Sequence, residues 1–447
     1  MRGTCGMKIR NFLLHFGLTV TVIVSVVLTT IILTNPATFQ RDSKTTTSPG
    51  ENDTTTSTRT VSDTFVPVQT ILNQDREQYQ LYSSKVNLVN SFRNEIRKWT
   101  ARKNITKTTF KNEEEYVAFL EQKNAVVLNY SDSVTIKLFN QAFSQKIEKH
   151  QGAKYNRILI PLKQKNVIYL LNDQTKGVYK VTFNKRNVKK IKTVLKNNEV
   201  KRLQMEYYLL DGHLAIFYLN SIQVPQYSYL INKVNASSFV TQLLDSNGGN
   251  SISTKMQKNK VIYSDGADNR MTVAEQTSQI KYANYSNSDY NNSTAERRES
   301  FNDHLKTSFA KLNSIGASLD DVYYSEYDQS NSTIIYRSYV SGFPIINKHN
   351  YGAFKIQTMN SGGLKYDFSL LSLQVPVPSG GRTATLPSTI TVYQNLINAG
   401  YSASKLKNIQ VGYKWKKNGA SSLVIDLVPT YFVNYAGKWT DYSELLK

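Results

Sequence analysis

The chain has 447 residues, a formal net charge of +22 and one cysteine, Cys5. A lone cysteine excludes a disulfide scaffold and a cysteine-based metal site outside the cell. The positive charge is spread rather than clustered, which argues against nucleic acid; it suits an anionic medium, wall polymer or phospholipid headgroup, or reflects only a basic, Tyr- and Asn-rich composition.

Residues 1–11 form a basic stub in which Arg2, Lys8 and Arg10 are unopposed by any acid. Phe12–Leu33 follows as 22 consecutive residues without a formal charge. At about 1.5 Å per residue a helix of that length crosses the roughly 30 Å hydrocarbon core of a bilayer. The positive-inside rule places the N-terminus in the cytosol and everything after Leu33 outside, as a single-pass protein of the cell membrane. The competing reading is a cleaved signal peptide, but its apolar core would run about 7–15 residues and end at a small-residue cut site, unlike Thr34-Asn35-Pro36. Within the span, Gly17, Thr21, Ser25 and Thr29 recur every fourth residue and line one stripe. Small residues of this kind let helices approach closely in lipid and bond through hydroxyls. A Thr-rich helix also generates the spacing by chance, and both readings stand here. His15 is read as reaching toward the headgroups rather than as a buried contact.

Residues 34–64, with eleven Thr and four Ser, read as a flexible tether too polar to offset its ordering entropy. From there the pattern is globular and too long for one ordinary domain. Three α+β domains are expected, 65–184, 185–305 and 306–447, the last rich in antiparallel sheet.

In the first, Leu88, Phe92, Ile96 and Trp99 repeat at helical spacing, as do Ile136, Phe139, Phe143 and Ile147. Strand-like runs follow at Arg157–Leu162, Val167–Leu171 and Val178–Phe183. The second has a helix around Val188, Ile191 and Leu195, strands at Leu214–Leu219 and Tyr227–Ile231, a helix around Phe239–Leu244, a strand at Lys260–Ser264 and a loop at Asn284–Ser293. In the third, Ile334–Val340 alternates as a strand, and Phe354–Thr358 and Leu364–Leu371 continue a meander through the turn Gly362-Gly363. Pro387-Ser388 opens a helix closed by Gly400. Ile409–Trp415 alternates, Asn418-Gly419 signals a hairpin turn, and Leu423–Val433 returns.

No local motif carries catalysis. His15, His150, His213, His304 and His349 are isolated from one another, and no nucleophile elbow, Walker A or dinucleotide fingerprint occurs. Ser379–Thr383 lacks the lysine of a phosphate loop and reads as a surface turn. Glu113-Glu114-Glu115 reads as the acidic start of a helix, and Tyr263–Gly266 as a strand entering a turn. No catalytic, cofactor-binding or metal residue is assigned, and no small-molecule substrate is evident.

The order basic stub, membrane helix, polar tether and motif-poor α+β body resembles the YycH family of Gram-positive Firmicutes, a setting that also suits an external protein without disulfides. The similarity is carried by Ser341-Gly342-Phe343-Pro344 after a Tyr-rich strand, Tyr366-Asp367-Phe368, Leu386-Pro387-Ser388, Val411-Gly412-Tyr413 and the ending Leu427 to Trp439. It runs more weakly through Asn156–Ile160 back to about Val66. The resemblance implies a non-catalytic accessory protein of the WalK (YycG) sensor kinase, in the WalKR (YycFG) two-component system that controls cell-wall metabolism. It also implies a YycI-like sister protein, kinase contact through membrane helices, and a body of three domains. The alternative, from charge and aromatic content, is a membrane-tethered envelope enzyme or a module that binds anionic wall polymer in an aromatic-lined basic groove.

Overall fold

The computed structural model describes residues 59–164, 166–244, 251–266, 268–285, 300–319, 321–359 and 362–447. The expected membrane span, with Gly17, Thr21, Ser25 and Thr29, lies outside the described residues, as does most of the tether. Among the described residues no helix is long and apolar enough to cross a membrane. The described residues begin inside the segment expected to be tether: Val61–Thr64 forms one helical turn with Thr64 and Phe65 fully buried. Phe65 explains this, because its ring packs against Phe309, Tyr324 and Tyr336.

Nine strands build the first sheet: β1 Gln69–Gln74, β2 Glu77–Tyr82, β3 Thr106–Thr109, β4 Ala125–Thr135, β5 Lys154–Pro161, β6 Val167–Asn172, β7 Gly177–Thr182, β8 Lys201–Leu210 and β9 His213–Tyr218. Their order is β3-β7-β6-β5-β4-β1-β2-β8-β9. The sheet curls, for Arg157 on β5 reaches the carbonyl of Leu214 on the far edge strand β9 at 3.3 Å. The helices Leu88–Ile96 and Ile136–Phe143 form where expected, but the first ends before Trp99 and the second before Ile147, where Ser144 turns left-handed (φ 54). Thr135 caps it by accepting from the Leu138 amide.

Strands β10 Ile222–Pro225 and β11 Tyr227–Lys233 leave this sheet. The third sheet takes β12 Ser253–Gln257, β13 Lys260–Ser264, β14 Asn269–Ala274, β15 Gln279–Asn284, β16 Val322–Asp328, β17 Thr333–Val340, β18 Phe343–Pro344, β19 Ala353–Thr358 and β20 Leu364–Ser369. Its order is β12-β13-β14-β15-β20-β19-β17-β16, with β18 beside β17. The remaining strands are β21 Leu371–Val377, β22 Thr383–Leu386, β23 Leu406–Lys417, β24 Val424–Tyr435 and β25 Lys438–Asp441. They give the pair β10-β22 and the sheet β21-β11-β24-β23, with β25 on β24. Every ladder among the described residues is antiparallel. The fold is therefore α+β with mainly antiparallel sheets. The expected domain boundaries at 184/185 and 305/306 each fall within the sequence span of one sheet, since β8 and β9 extend the first and β12–β15 join β16–β20.

Two local readings need correction. Leu364–Leu371 is not one strand: the chain changes sheets at the buried Leu370, whose amide donates to Ser278 and whose carbonyl accepts from Val234. Asn418-Gly419 is not a two-residue turn either. Residues 418–423 form a longer loop opened by Asn418, whose side chain accepts from the Ala420 amide at 2.9 Å, and Gly419 does not take positive φ. The expected loop Asn284–Ser293 lies mostly outside the described residues.

Candidate functional site

Strand alternation gives the third sheet two unlike faces. Tyr324, Tyr336, Ile356 and Phe368 are buried on one, which packs on the helices Phe301–Ser314 and Ala236–Leu244; Tyr336 donates to Ser308 and Phe239 meets Phe368 edge-on. On the other face the cross-strand register aligns Glu326, Ile335, Lys355, Asp367 and Lys281 in one row. Arg337 stands two residues along from Ile335.

That second face is one wall of an open cleft of about 1720 Å³. The opposite wall comes from β23–β25 with the 418–423 loop, and contributes Lys414, Trp415, Phe432, Trp439 and Asp441. Residues 346–351 close one side, and Tyr351 packs its ring on Trp415 at 5.2 Å. The walls touch where Trp439 Nε1 donates to Glu326 at 3.2 Å.

Charges of both signs share this surface. Asp441 is held by Lys414 at 2.6 Å; burial alone would raise its carboxyl, but Lys414 and the Ser443 bonds bring it below the usual range. Burial pushes the Glu326 carboxyl up. Asp367 accepts from Gln279. Arg337 is different: it is only 5% exposed, yet among the described residues its guanidinium makes no hydrogen bond and no ion pair. Lys355, half-buried, likewise lacks a bonded partner among them, and burial followed by the nearby Arg337 charge lowers its ammonium pKa.

Of the residues that carried the family resemblance, Tyr366 and Asp367 line this cleft, whereas Ser341–Pro344 and Val411–Tyr413 meet at a joint between sheets. Gly342 (φ +84) lies so close to Val68, just ahead of β1, that a Cβ there would stand 3.1 Å from its carbonyl. Ser341 bonds Tyr227 at 2.9 Å, Phe343 packs edge-on to Tyr82 and Tyr413, and the Ile346 amide donates to Tyr413. These segments are structural. The Leu427–Trp439 ending, by contrast, runs from the joint to the cleft wall.

The other motifs behave as read. Arg382 folds the 379–383 turn by donating to Ser379 and pairs with Asp426 at 3.3 Å. Asn112 caps the helix Glu113–Leu120 by accepting from the Glu115 amide. Tyr263–Gly266 runs from β13 into a turn with Gly266 at φ +76. No cluster of His, Cys, Asp and Glu suited to a metal occurs among the described residues.

Comparison with known proteins covers nearly the whole chain. The family model described as YycH protein, N-terminal domain, matches residues 8–200, and the one described as YycH protein, C-terminal domain, matches 217–445. Among solved structures the chain is similar to the crystal structure of YycH from Bacillus subtilis, with 16% identity and a TM-score of 0.68, over 86% of this chain and 98% of that one. No curated protein matches.

Proposed function

The chain belongs to the YycH family, and on that premise we propose that it is a non-catalytic, membrane-anchored regulator of the WalK (YycG) sensor histidine kinase. It acts with a YycI-like partner on cell-wall metabolism. Residues 1–11 lie in the cytosol, 12–33 cross the membrane, and the body is extracytoplasmic. The observation that carries this reading is the pair of family models, which begin ahead of the apolar run and continue to within two residues of the C-terminus. Co-purification of the full chain with the kinase and the sister protein tests it; contact with neither overturns it.

Contact is assigned to the stripe Gly17, Thr21, Ser25 and Thr29. Leu at Gly17 or Ser25 should block close approach while preserving insertion. Polar contacts between membrane helices average about 0.6 kcal/mol, and about 1.4 kcal/mol is tenfold in affinity, so one bulky residue should weaken kinase association by about an order of magnitude. Val20→Leu and Val27→Leu, off the stripe, should do little at equal membrane levels. Equal damage from both sets would place the contact elsewhere.

The body's attachment suits a role in transmission. Arg59 stacks on Tyr323 at 4.5 Å and Asp63 pairs with Arg93 at 2.9 Å. Arg93 in turn donates to the Ala142 carbonyl, so the first described residues are tied to the core. A second reading, a tethered binding module for wall material, is favoured by the cleft with its half-buried Tyr351 and Trp439 and the cations Arg337 and Lys355.

A further inference from the structure

We propose that the cleft between the third sheet and β23–β25 binds a short zwitterionic peptide, whose free carboxylate is received by Arg337 and Lys355. This deepens the second reading and is independent of the kinase contact.

Arg337 is the first observation. Its side chain is almost wholly covered, its guanidinium makes no hydrogen bond among the described residues, and the attraction of the Glu326 carboxylate only partly offsets the cost of its burial. A fold keeps such a group when the charge has a use, and sites of use are where local stability rules are broken. Its neighbour Lys355 is unbonded in the same way among the described residues. A guanidinium fork beside an ammonium is the donor set for a carboxylate or phosphate.

Size and charge pattern then choose the ligand. At about 1720 Å³ the cleft exceeds the roughly 300–1,000 Å³ usual for small-molecule sites, so it fits an extended oligomer rather than a single metabolite. A repeating polyanion would meet Glu326, Asp328 and Asp367 on the same wall and be repelled by them. A peptide with a free carboxylate and an amino group uses both signs: the cations take its terminus and the acids its ammonium. Trp439 and Tyr351, both half-buried, offer apolar faces to the intervening side chains, and Ser421 and Ser422 of the 418–423 loop offer hydrogen bonds to its backbone.

The test uses the full chain in detergent micelles, without the kinase. The probe is a mixed tetrapeptide library with free carboxyl termini, compared with the same library amidated and with poly(glycerol phosphate). The free-acid library should be captured at least tenfold more strongly than the amidated one. Arg337→Gln should lower capture tenfold or more while leaving the melting temperature unchanged or raised, because it removes a buried charge that makes no hydrogen bond and whose burial outweighs its attraction to Glu326. Lys355→Met should weaken capture several-fold. Equal capture of both libraries overturns the proposal, as does no capture at all. A fall in melting temperature in Arg337→Gln with Lys355→Met still binding at full strength makes the arginine structural and also overturns it. Binding of poly(glycerol phosphate) alone, dependent on Arg337, replaces the peptide with a polyanion.

Discussion

Asp173→Ala is expected to lower the stability of the body by about 3–5 kcal/mol, the cost of leaving a buried charge without its partner. Arg157 and Asp173 have side chains only 5% and 12% exposed and pair at 2.8 Å. The Arg157 Nε donates to both carboxylate oxygens, and Tyr116 and Asn156 donate to the same carboxylate at 2.6 and 2.8 Å. Removing the carboxylate strands the guanidinium beneath Tyr207, which it faces at 4.9 Å. Domains are stable by only about 5–15 kcal/mol, so the loss is a large fraction of the total. Arg157→Met in the same chain should restore much of it, since an apolar replacement of a buried pair is often neutral or stabilising. The acid limb provides a second readout. Burial alone would raise the Asp173 carboxyl, but the Arg157 charge and the three donors hold it below its ordinary value. A carboxyl whose folded pKa lies below its unfolded one, near about 3.9, contributes stability above that value and loses it as pH falls through the folded pKa. Asp173→Ala should therefore flatten the loss on acidification, measured by denaturant unfolding between neutral pH and the acid range. A variant as stable as the parent, with the acid limb unchanged, would show that the pair carries no net stability.

The pair also shows where sequence reading stopped. Arg157 lies in an expected strand, but nothing local announces that a turn residue after β6 will meet it. Likewise β1 and β2 were not foreseen: Gln69, Asn73, Gln78 and Gln80 make them look polar. Yet Asn73, Gln78 and Gln80 are buried, because Asn73 donates to the Leu120 carbonyl and Gln80 accepts from Tyr218. Tertiary hydrogen bonds override the hydrophobic pattern there. The helices were legible because a buried face repeats at helical spacing, as with Leu88, Phe92 and Ile96.

The cleft was legible only in part. The alternation around Arg337 marks the strand, and an arginine inside Ile334–Val340 is the available signal, since a charge inside an apolar strand calls for a reason. What no local pattern carries is the second wall. Lys355 and Asp367 become neighbours through ladder register, and Trp439 faces Glu326 because β25 folds back on β24.

Gly412→Val should open the joint between sheets. A Cβ at this position would stand 2.8 Å from the Pro344 carbonyl and 3.0 and 3.2 Å from the Phe432 ring. The carbonyl cannot retreat freely, because the chain just beyond it is held by the Ile346 amide on Tyr413 and by a bridge from Ile345 to Tyr413. Phe432 is only 3% exposed and has little room to turn. Overpacking of a closed site typically costs about 1–3 kcal/mol, and β-branching against backbone puts valine at or above the upper end. Gly412→Ala should show a smaller loss in the same direction. Gly419→Ala, with open space around its position, should be silent. Because the joint holds β17 and β18 against β23, a packing loss there should also loosen the cleft they frame. Limited proteolysis should accordingly cut Gly412→Val within 341–351 before the parent chain is cut. Equal cleavage of parent and variant, with unchanged melting, would mean that the two strands separate enough to admit the side chain, and that their contact does not set the cleft.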